Sequence, residues 1–103
     1  MERINRLKEF LAASPDDSFL KHALALEYVK LEEDVEARKI FEEILTNDPS
    51  YIGSYYHLAK LLERNGDAAA AMDWYQRGMQ AAKLAYDNHA LNELRAAYEE
   101  LVD

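Results

Sequence analysis

The segment Asp67–Met79, DAAAAMDWYQRGM, places four consecutive alanines close to two large aromatic side chains, Trp74 and Tyr75. It follows Asn65-Gly66, a pair that is typical of a turn. Alanine strongly favours helix, and small side chains let two helices approach while aromatic rings fill the space beside the contact. The segment therefore predicts an α-helix that packs closely against another helix.

Apolar residues recur at helical spacing along the rest of the chain. Three such groups are Ile4, Leu7, Phe10 and Leu11, then Leu20, Leu24, Tyr28 and Leu31, then Ile40, Phe41, Ile44 and Leu45. Each group lies on one face of a helix with 3.6 residues per turn. Because no segment alternates with a period of two, the sequence predicts an all-α protein.

Residues that favour helix ends mark the boundaries between these groups. Ser14-Pro15-Asp16-Asp17 and Asn47-Asp48-Pro49-Ser50 each combine N-capping side chains with proline, which predicts a helix start at each. Asn65-Gly66-Asp67 combines a left-handed C-cap glycine with an N-cap aspartate. No glycine or proline marks the expected bend at 86–88.

The residues that mark the helix ends recur at a regular spacing. Pro15 and Pro49 are 34 residues apart, and a unit of about 34 residues with two helices is a known repeat period. Advancing the residues of the first unit by this spacing preserves the size of five out of six. The pairs are Leu24 and Leu58, Ala25 and Ala59, Tyr28 and Leu62, Ala37 and Ala71, Phe41 and Tyr75, and Pro49 and Lys83.

These positions resemble the motif of the tetratricopeptide repeat (TPR) family, W-x2-L-G-x2-Y, then A-x3-F, then P. The resemblance implies antiparallel helical hairpins stacked as a short right-handed superhelix, with two repeats and a capping helix at each end. Lys21, Glu32 and Lys83 depart from the motif at the tryptophan, the turn glycine and the closing proline. If Glu32 occupies the place of Gly66, it should adopt a left-handed conformation.

The resemblance divides one domain, residues 1–103, into four parts. Residues 1–14 form an N-terminal capping helix with Leu7 and Phe10 as its core residues. Residues 15–49 and 50–85 are the two repeats. Residues 86–103 form an amphipathic C-terminal capping helix, because terminal repeats need a polar outer face. With Met1 and both caps, the chain is expected to be a complete small adaptor.

In TPR domains the first helix of each hairpin lines the concave surface. The eight candidate partner-binding residues at these places are Phe19, His22, Leu26, Val29, Tyr56, Lys60, Glu63 and Arg64. Gly53, Ala90, Leu94 and Ala97 are expected to border them. TPR domains that bind the acidic tails of cytosolic chaperones present Lys, Asn and Arg to a terminal carboxylate. The matching places hold His22, Leu26, Tyr56 and Lys60, so this clamp is expected to be absent.

Composition excludes several classes of function. There are 12 Lys and Arg against 20 Asp and Glu, a formal charge of −8, so nucleic acid and anionic membranes are not expected partners. No cysteine is present, and no His spacing is that of a metal site or a catalytic motif. We therefore expect no enzyme activity, cofactor or metal. The N-terminus lacks the apolar run of a signal peptide, which favours a cytoplasmic protein.

These observations predict a non-catalytic protein-interaction module, an adaptor or scaffold that binds a peptide or helix of another protein in its concave groove. A second hypothesis is a structural or homo-oligomerisation unit whose groove is filled by the C-terminal helix, with Trp74 on the outer face favouring a homodimer. The third is a chaperone-tail-binding domain. The sequence leaves all three open.

Overall fold

The computed structural model describes residues 2–103, which form six α-helices and no strand. The helices are α1 Glu2–Ala13, α2 Ser18–Lys30, α3 Asp34–Asn47, α4 Gly53–Arg64, α5 Ala68–Leu84 and α6 Asn88–Val102. They belong to two compact units, a first that ends at Asp48 and a second, Pro49–Asp103. The expected all-α hairpin architecture is confirmed.

Three of the turns share one backbone conformation. Glu32, Gly66 and Tyr86 have φ angles of 59°, 82° and 56°, and each directly follows the C-cap residue of a helix. In each turn the N–H of the next residue donates to the carbonyl oxygen five positions earlier, at 2.9 Å. This is the Schellman motif, which satisfies carbonyls that the helix end leaves without a partner. The left-handed conformation expected for Glu32 is confirmed.

Replacing Glu32 with glycine should stabilise the protein. A residue with a Cβ costs about 1 kcal/mol in this conformation relative to glycine, and Glu32 is exposed. We expect the melting temperature to rise by about 4 °C. Glu36→Gly is the matched control: it lies in the first turn of α3, where glycine only weakens the helix, so its melting temperature should fall. A drop for Glu32→Gly as well would contradict the role of this turn.

Aspartates cap three of the helices. The carboxylates of Asp17, Asp67 and Asp87 accept hydrogen bonds from backbone N–H groups of α2, α5 and α6 at 3.0–3.1 Å. The segment Ser14–Asp17, where a helix start was predicted, does supply the N-cap, but the cap is Asp17 and not Ser14. Ser14 and Pro15 lie in a turn closed by a bond from Asp17 N–H to the Ser14 carbonyl, 3.2 Å. The capping oxygen therefore comes from Asp17, and α2 begins at Ser18.

The helix start predicted at Asn47–Ser50 is wrong. Asp48 ends α3 as its C-cap, and α4 begins only at Gly53, with Ile52 as an N-cap that provides no side-chain hydrogen bond. The Tyr55 hydroxyl donates to the Pro49 carbonyl at 2.6 Å. This bond holds Pro49 in the turn that precedes the helix, so the proline lies outside α4.

In the first unit α2 packs against both α1 and α3. Ile4, Leu7 and Leu24 form a buried cluster, whereas the expectation that Phe10 is a core residue of α1 is wrong, since its side chain is 55% exposed. Ile4, Leu7 and Leu11 lie within about 60° around the helix axis, and Phe10 lies about 90° from the centre of that stripe. The apolar face is therefore narrower than the sequence pattern indicated.

Lys21, which stands at the tryptophan place of the motif, is nearly buried in the first unit, with 8% of its surface exposed. Its Nζ lies 3.2 Å from the Oε1 atom of Glu43 on α3. A buried charge needs a hydrogen-bonded partner. The lysine therefore joins α2 to α3 through its ammonium group, where the motif would use an aromatic ring.

In the second unit α5 packs against both α4 and α6. Its core contains Leu58, Ala59, Leu62, Ala71, Tyr75 and Leu94, all almost completely buried. Since Lys83 replaces the closing proline, α5 extends over 17 residues compared with 14 in α3. In the part of the chain that the structure describes, no helix is both long and apolar enough to span a membrane.

Candidate protein-binding surfaces

Four of the eight candidate residues lie on one side of α2. Phe19, His22, Leu26 and Val29 fall within an arc of about 80° around the helix axis. Phe19 is 69% exposed, and the other three are half-buried. The start of this helix is held to the end of α3 by a hydrogen bond from the Ser18 hydroxyl to Asp48, 3.1 Å. The structure therefore brings these four together as a partly apolar surface in the first unit, hereafter the α2 face.

His22 has a packing role within that surface. Its ring meets the ring of Phe41 on α3 edge-on, with 5.6 Å between the centroids. Phe41 is completely buried, so the imidazole covers part of the hairpin core. Part of the His22 ring is therefore used in packing the hairpin core. Phe19 is the most exposed apolar side chain of the α2 face.

The other candidates lie on α4 in the second unit, where Tyr56, Lys60 and Glu63 form a connected group. The Lys60 ammonium lies 5.7 Å from the centre of the Tyr56 ring and 3.7 Å from the Glu63 carboxylate. The Tyr56 ring in turn lies 6.4 Å from that of the buried Tyr75. Arg64 is exposed in the last turn of the same helix.

Glu63 is tied to the core through Tyr75, a contact that sequence patterns did not predict. The Tyr75 hydroxyl donates a hydrogen bond to the Glu63 carboxylate. Burial raises the pKa of Tyr75 well above its ordinary value, and the nearby Glu63 carboxylate raises it further. The tyrosine therefore remains a neutral donor at physiological pH. Glu63 serves to hold Lys60 over Tyr56, and its carboxylate is already occupied by these two partners.

A pocket of about 210 Å³ opens between α4 and α6 within the second unit. Apolar and aromatic side chains share its walls with two carboxylates and one imidazole. The lining residues are Ile52, Gly53, Tyr56, His57, Asp87, Ala90, Glu93 and Leu94. Tyr56 is the only one of the eight candidates among them, while Gly53, Ala90 and Leu94 were expected to border the groove. Ala97 instead lies in the core.

The pocket carries negative charge and no permanent positive charge. Loss of solvent around the His57 ring lowers its pKa, an effect that the Glu93 carboxylate partly opposes, so the imidazole is mainly neutral at pH 7. Asp87 accepts a hydrogen bond from Ala90 N–H at 3.0 Å while it caps α6. Glu93 is exposed and forms no hydrogen bond or ion pair within residues 2–103. Within that same range, no group of three His, Asp or Glu side chains is placed to hold a metal ion.

The sequence did not single out His57, Asp87 or Glu93. Sequence patterns indicate these residues only weakly, because the pocket lies between α4 and α6 and α6 is outside the two predicted repeats. Only the position of Ala90 and Leu94 on one face of α6 indicated that this helix borders α4.

Comparison with known proteins gives similar structures, although no family model matches the chain. The solution structure of a tetratricopeptide repeat domain protein from Salinibacter ruber is 38% identical, covers 84% of this chain and 88% of its own, and superposes with a TM-score of 0.81. The TPR2B domain of yeast Sti1, in a complex with pHsp70, is 16% identical, covers 96% and 79% respectively, and gives 0.88. The first TPR of Spaghetti (RPAP3), bound to an HSP90 peptide, is 20% identical. The match covers 97% of this chain and 78% of that one, with a TM-score of 0.76.

Proposed function

This chain belongs to the tetratricopeptide repeat family, and from that premise we propose that it is a non-catalytic module that binds a peptide or helix of another protein. The first helix of each hairpin, α2 in one unit and α4 in the other, carries the candidate binding residues. Two similar solved structures are complexes, one with pHsp70 and one with an HSP90 peptide. They support the general function, binding of a protein segment. The chemistry of the partner of this chain is inferred from the side chains of the chain itself.

The single observation that carries the proposal is the α2 face. Phe19 keeps 69% of its surface in water beside the half-buried Leu26 and Val29. Burial of a phenylalanine side chain on a partner would gain about 1.5–3 kcal/mol, and aromatic anchors of this kind contribute strongly to interfaces. A segment with apolar side chains at helical or alternating spacing fits this surface.

We favour binding over catalysis because carboxylates near the candidate residues already have structural partners. Glu63 accepts a hydrogen bond from Tyr75 and pairs with Lys60, and Asp87 caps α6. A general acid or base must be able to reach a reacting group. These carboxylates already have structural partners, so the proposal gives them supporting roles.

The proposed partner is not an acidic chaperone tail. The places that match the carboxylate clamp hold His22, Leu26, Tyr56 and Lys60, which supply one permanent positive charge, and the Lys60 charge is compensated by Glu63. With a net charge of −8, the protein would repel an acidic peptide. The HSP90 peptide SRMEEVD should therefore bind far more weakly than a peptide selected for this chain.

Self-association through Trp74 is a weaker proposal. The indole is half-buried, with its ring 6.1 Å from that of Tyr55 and the Arg77 guanidinium 4.6 Å from its centre. An aromatic ring with these contacts inside one chain offers less new area to a second copy. Light scattering across a range of concentrations should accordingly give the mass of a monomer, and a concentration-dependent dimer would favour the structural hypothesis.

The test is selection of a binding peptide, followed by mutation of the α2 face. Random peptides displayed on phage are selected on the immobilised protein, and the enriched peptide is titrated by calorimetry. We expect micromolar affinity and a loss of about tenfold, or about 1.4 kcal/mol, for Phe19→Ser. Amide chemical shifts on the labelled protein should change along α2.

Phe10→Ser is the matched control. Phe10 is also an exposed phenylalanine, with 55% of its surface in water, but it lies on α1 outside the α2 face. Its replacement should leave the affinity unchanged. Failure to enrich any peptide, or equal effects of the two substitutions, would contradict the proposed function.

A further inference from the structure

We propose that the pocket between α4 and α6 binds a basic side chain, Arg or Lys, of the partner peptide. This inference rests on the proposed function and specifies the chemistry of the partner at a second place on the protein. The module would then prefer a peptide with a basic residue, whereas domains that bind acidic tails prefer negatively charged peptides.

The walls of the pocket fit the stem of such a side chain. Ile52 and Ala90 provide apolar surface, Tyr56 provides an aromatic ring, and the core residue Leu94 closes the floor. Long basic side chains bury their methylene groups against surfaces of this kind while the charged end stays near water or a carboxylate. The volume of about 210 Å³ is smaller than the 300–1,000 Å³ of typical small-molecule sites, which suits one side chain of a longer peptide.

The charges of the pocket select the end group. Two carboxylates line it: Glu93 lies in the second turn of α6, and Asp87 is the N-cap of that helix. The Glu93 carboxylate forms no hydrogen bond or ion pair among the described residues, so it is available to a guanidinium or ammonium group. A bidentate guanidinium–carboxylate pair is stronger and more directional than a neutral hydrogen bond. Charge complementarity therefore favours a basic anchor over a neutral or acidic one.

No protein cation competes for this place in the pocket lining. The one basic lining residue, His57, is mainly neutral at pH 7, since partial loss of solvent around its ring lowers its pKa although the residue remains exposed. Lys60, the lysine of α4, is paired with the Glu63 carboxylate and lies over the Tyr56 ring. An incoming Arg or Lys would thus be the positive charge that offsets Glu93 and Asp87.

The first test examines the pocket without relying on a partner. N-acetyl-arginine N-methylamide is titrated into the full chain labelled with ¹⁵N, and the glutamate analogue serves as the comparison probe. We expect saturable shifts of the His57, Ala90 and Glu93 amides with the arginine probe and none with the glutamate probe. Equal responses to both probes, or no response at these amides, would overturn the inference whatever the fate of the proposed function.

The second test uses substitutions that preserve the fold. Glu93→Gln should weaken the arginine probe by about tenfold, and Glu93→Lys should abolish its binding. Asp87→Asn removes a charge but keeps an N-capping oxygen, so it should weaken the probe without a change in melting temperature. Glu99→Lys makes the same charge reversal on the exposed side of α6, outside this pocket, and should leave binding within about twofold.

Peptide selection separates the two proposals. Peptides enriched on the wild-type protein should carry Arg or Lys at one recurrent position, and selection on Glu93→Lys should lose that preference. Enriched peptides that bind well but lack a basic residue would overturn this inference while leaving the proposed function intact. Absence of any enriched peptide, together with saturable arginine binding in the pocket, would contradict the proposed function and the peptide partner, while the selectivity of the pocket for a basic group would still hold.

Discussion

Ala71→Leu should lower the free energy of unfolding by about 1–3 kcal/mol, whereas Ala69→Leu should leave it within about 0.5 kcal/mol. Both changes add the same three heavy atoms to the same helix, two residues apart. Ala71 is 0% exposed at the contact between α5 and its neighbours, and Ala69 is exposed. The physical difference between the two sites is therefore the space available for a larger side chain.

The buried site has little freedom to adapt. Ala71 and Ala59 are both completely buried on α5 and α4, two helices that pack against each other. Protein interiors are as densely packed as organic crystals, so a leucine at Ala71 must displace core neighbours such as Tyr75 or separate the helices. Either response loses buried contacts, which is the source of the expected destabilisation.

Denaturant unfolding of both variants provides the measurement. The midpoint should fall for Ala71→Leu with little change in the slope, and should remain near that of the wild type for Ala69→Leu. Ala37→Leu repeats the test in the first unit, because Ala37 is also completely buried and lies 34 residues earlier. Equal midpoints for the two α5 variants would mean that the alanine run only favours helix formation.

The period of 34 residues predicted the positions that every repeat shares. It placed Ala25, Ala37, Ala59 and Ala71 in the core, and each is completely buried. It also predicted the left-handed conformation at Glu32, which no local residue preference would indicate. Periodicity succeeds here because two copies of one packing arrangement constrain the same side-chain sizes and the same backbone turn.

The helix starts were harder to predict because several polar residues compete to cap the same N–H groups. Ser14 and Asp17 are both good N-caps, and only the backbone of the turn decides that the Asp17 carboxylate reaches Leu20 N–H. The bend at Tyr86 was also difficult to place within residues 86–88. Its Schellman bonds come from the backbone, so a bulky residue occupies a place where glycine would have been the visible signal.

The candidate surface could be predicted only in part. The α2 face follows from helical spacing, since its successive members are three, four and three residues apart on one helix. The pocket requires side chains of α4 and α6 such as Tyr56 and Glu93 to lie near each other, and the repeat alignment did not extend to α6. Sequence spacing within one helix therefore indicated the α2 face. The acidic character of the pocket between α4 and α6 depends on tertiary packing, which spacing does not reveal.

Gly78 of α5 should not tolerate even a methyl side chain without a loss of stability. Glycine within a helix normally destabilises it, so Gly78→Ala would gain about 1 kcal/mol at an exposed site. Here a Cβ at Gly78 would lie 2.7 Å from Cβ and 3.0 Å from Cγ of Tyr55, and 3.1 Å from a methyl group of Leu94. These neighbours come from α4 and α6, so the missing side chain allows α5 to pack between both helices.

The contact at 2.7 Å decides the sign of the effect. The Tyr55 Cβ is fixed to the α4 backbone and cannot rotate away, and its ring is held by the hydroxyl bond to Pro49. Overpacking typically costs about 1–3 kcal/mol, which exceeds the gain in helix propensity. We expect Gly78→Ala to lower the free energy of unfolding by about 1–2 kcal/mol, and Gly78→Leu by about 3 kcal/mol or more.

Thermal and denaturant unfolding of Gly78→Ala should be compared with Gln80→Ala, an exposed position two residues later on the same helix. The control should be neutral or slightly stabilising, because alanine there changes helix propensity without a new contact. A graded loss from alanine to leucine at Gly78, with no loss at Gln80, would show that steric contact sets the cost. If Gly78→Ala instead raised the melting temperature, α4 and α6 would have to yield easily around α5, and the pocket that they form could not be a preorganised binding site.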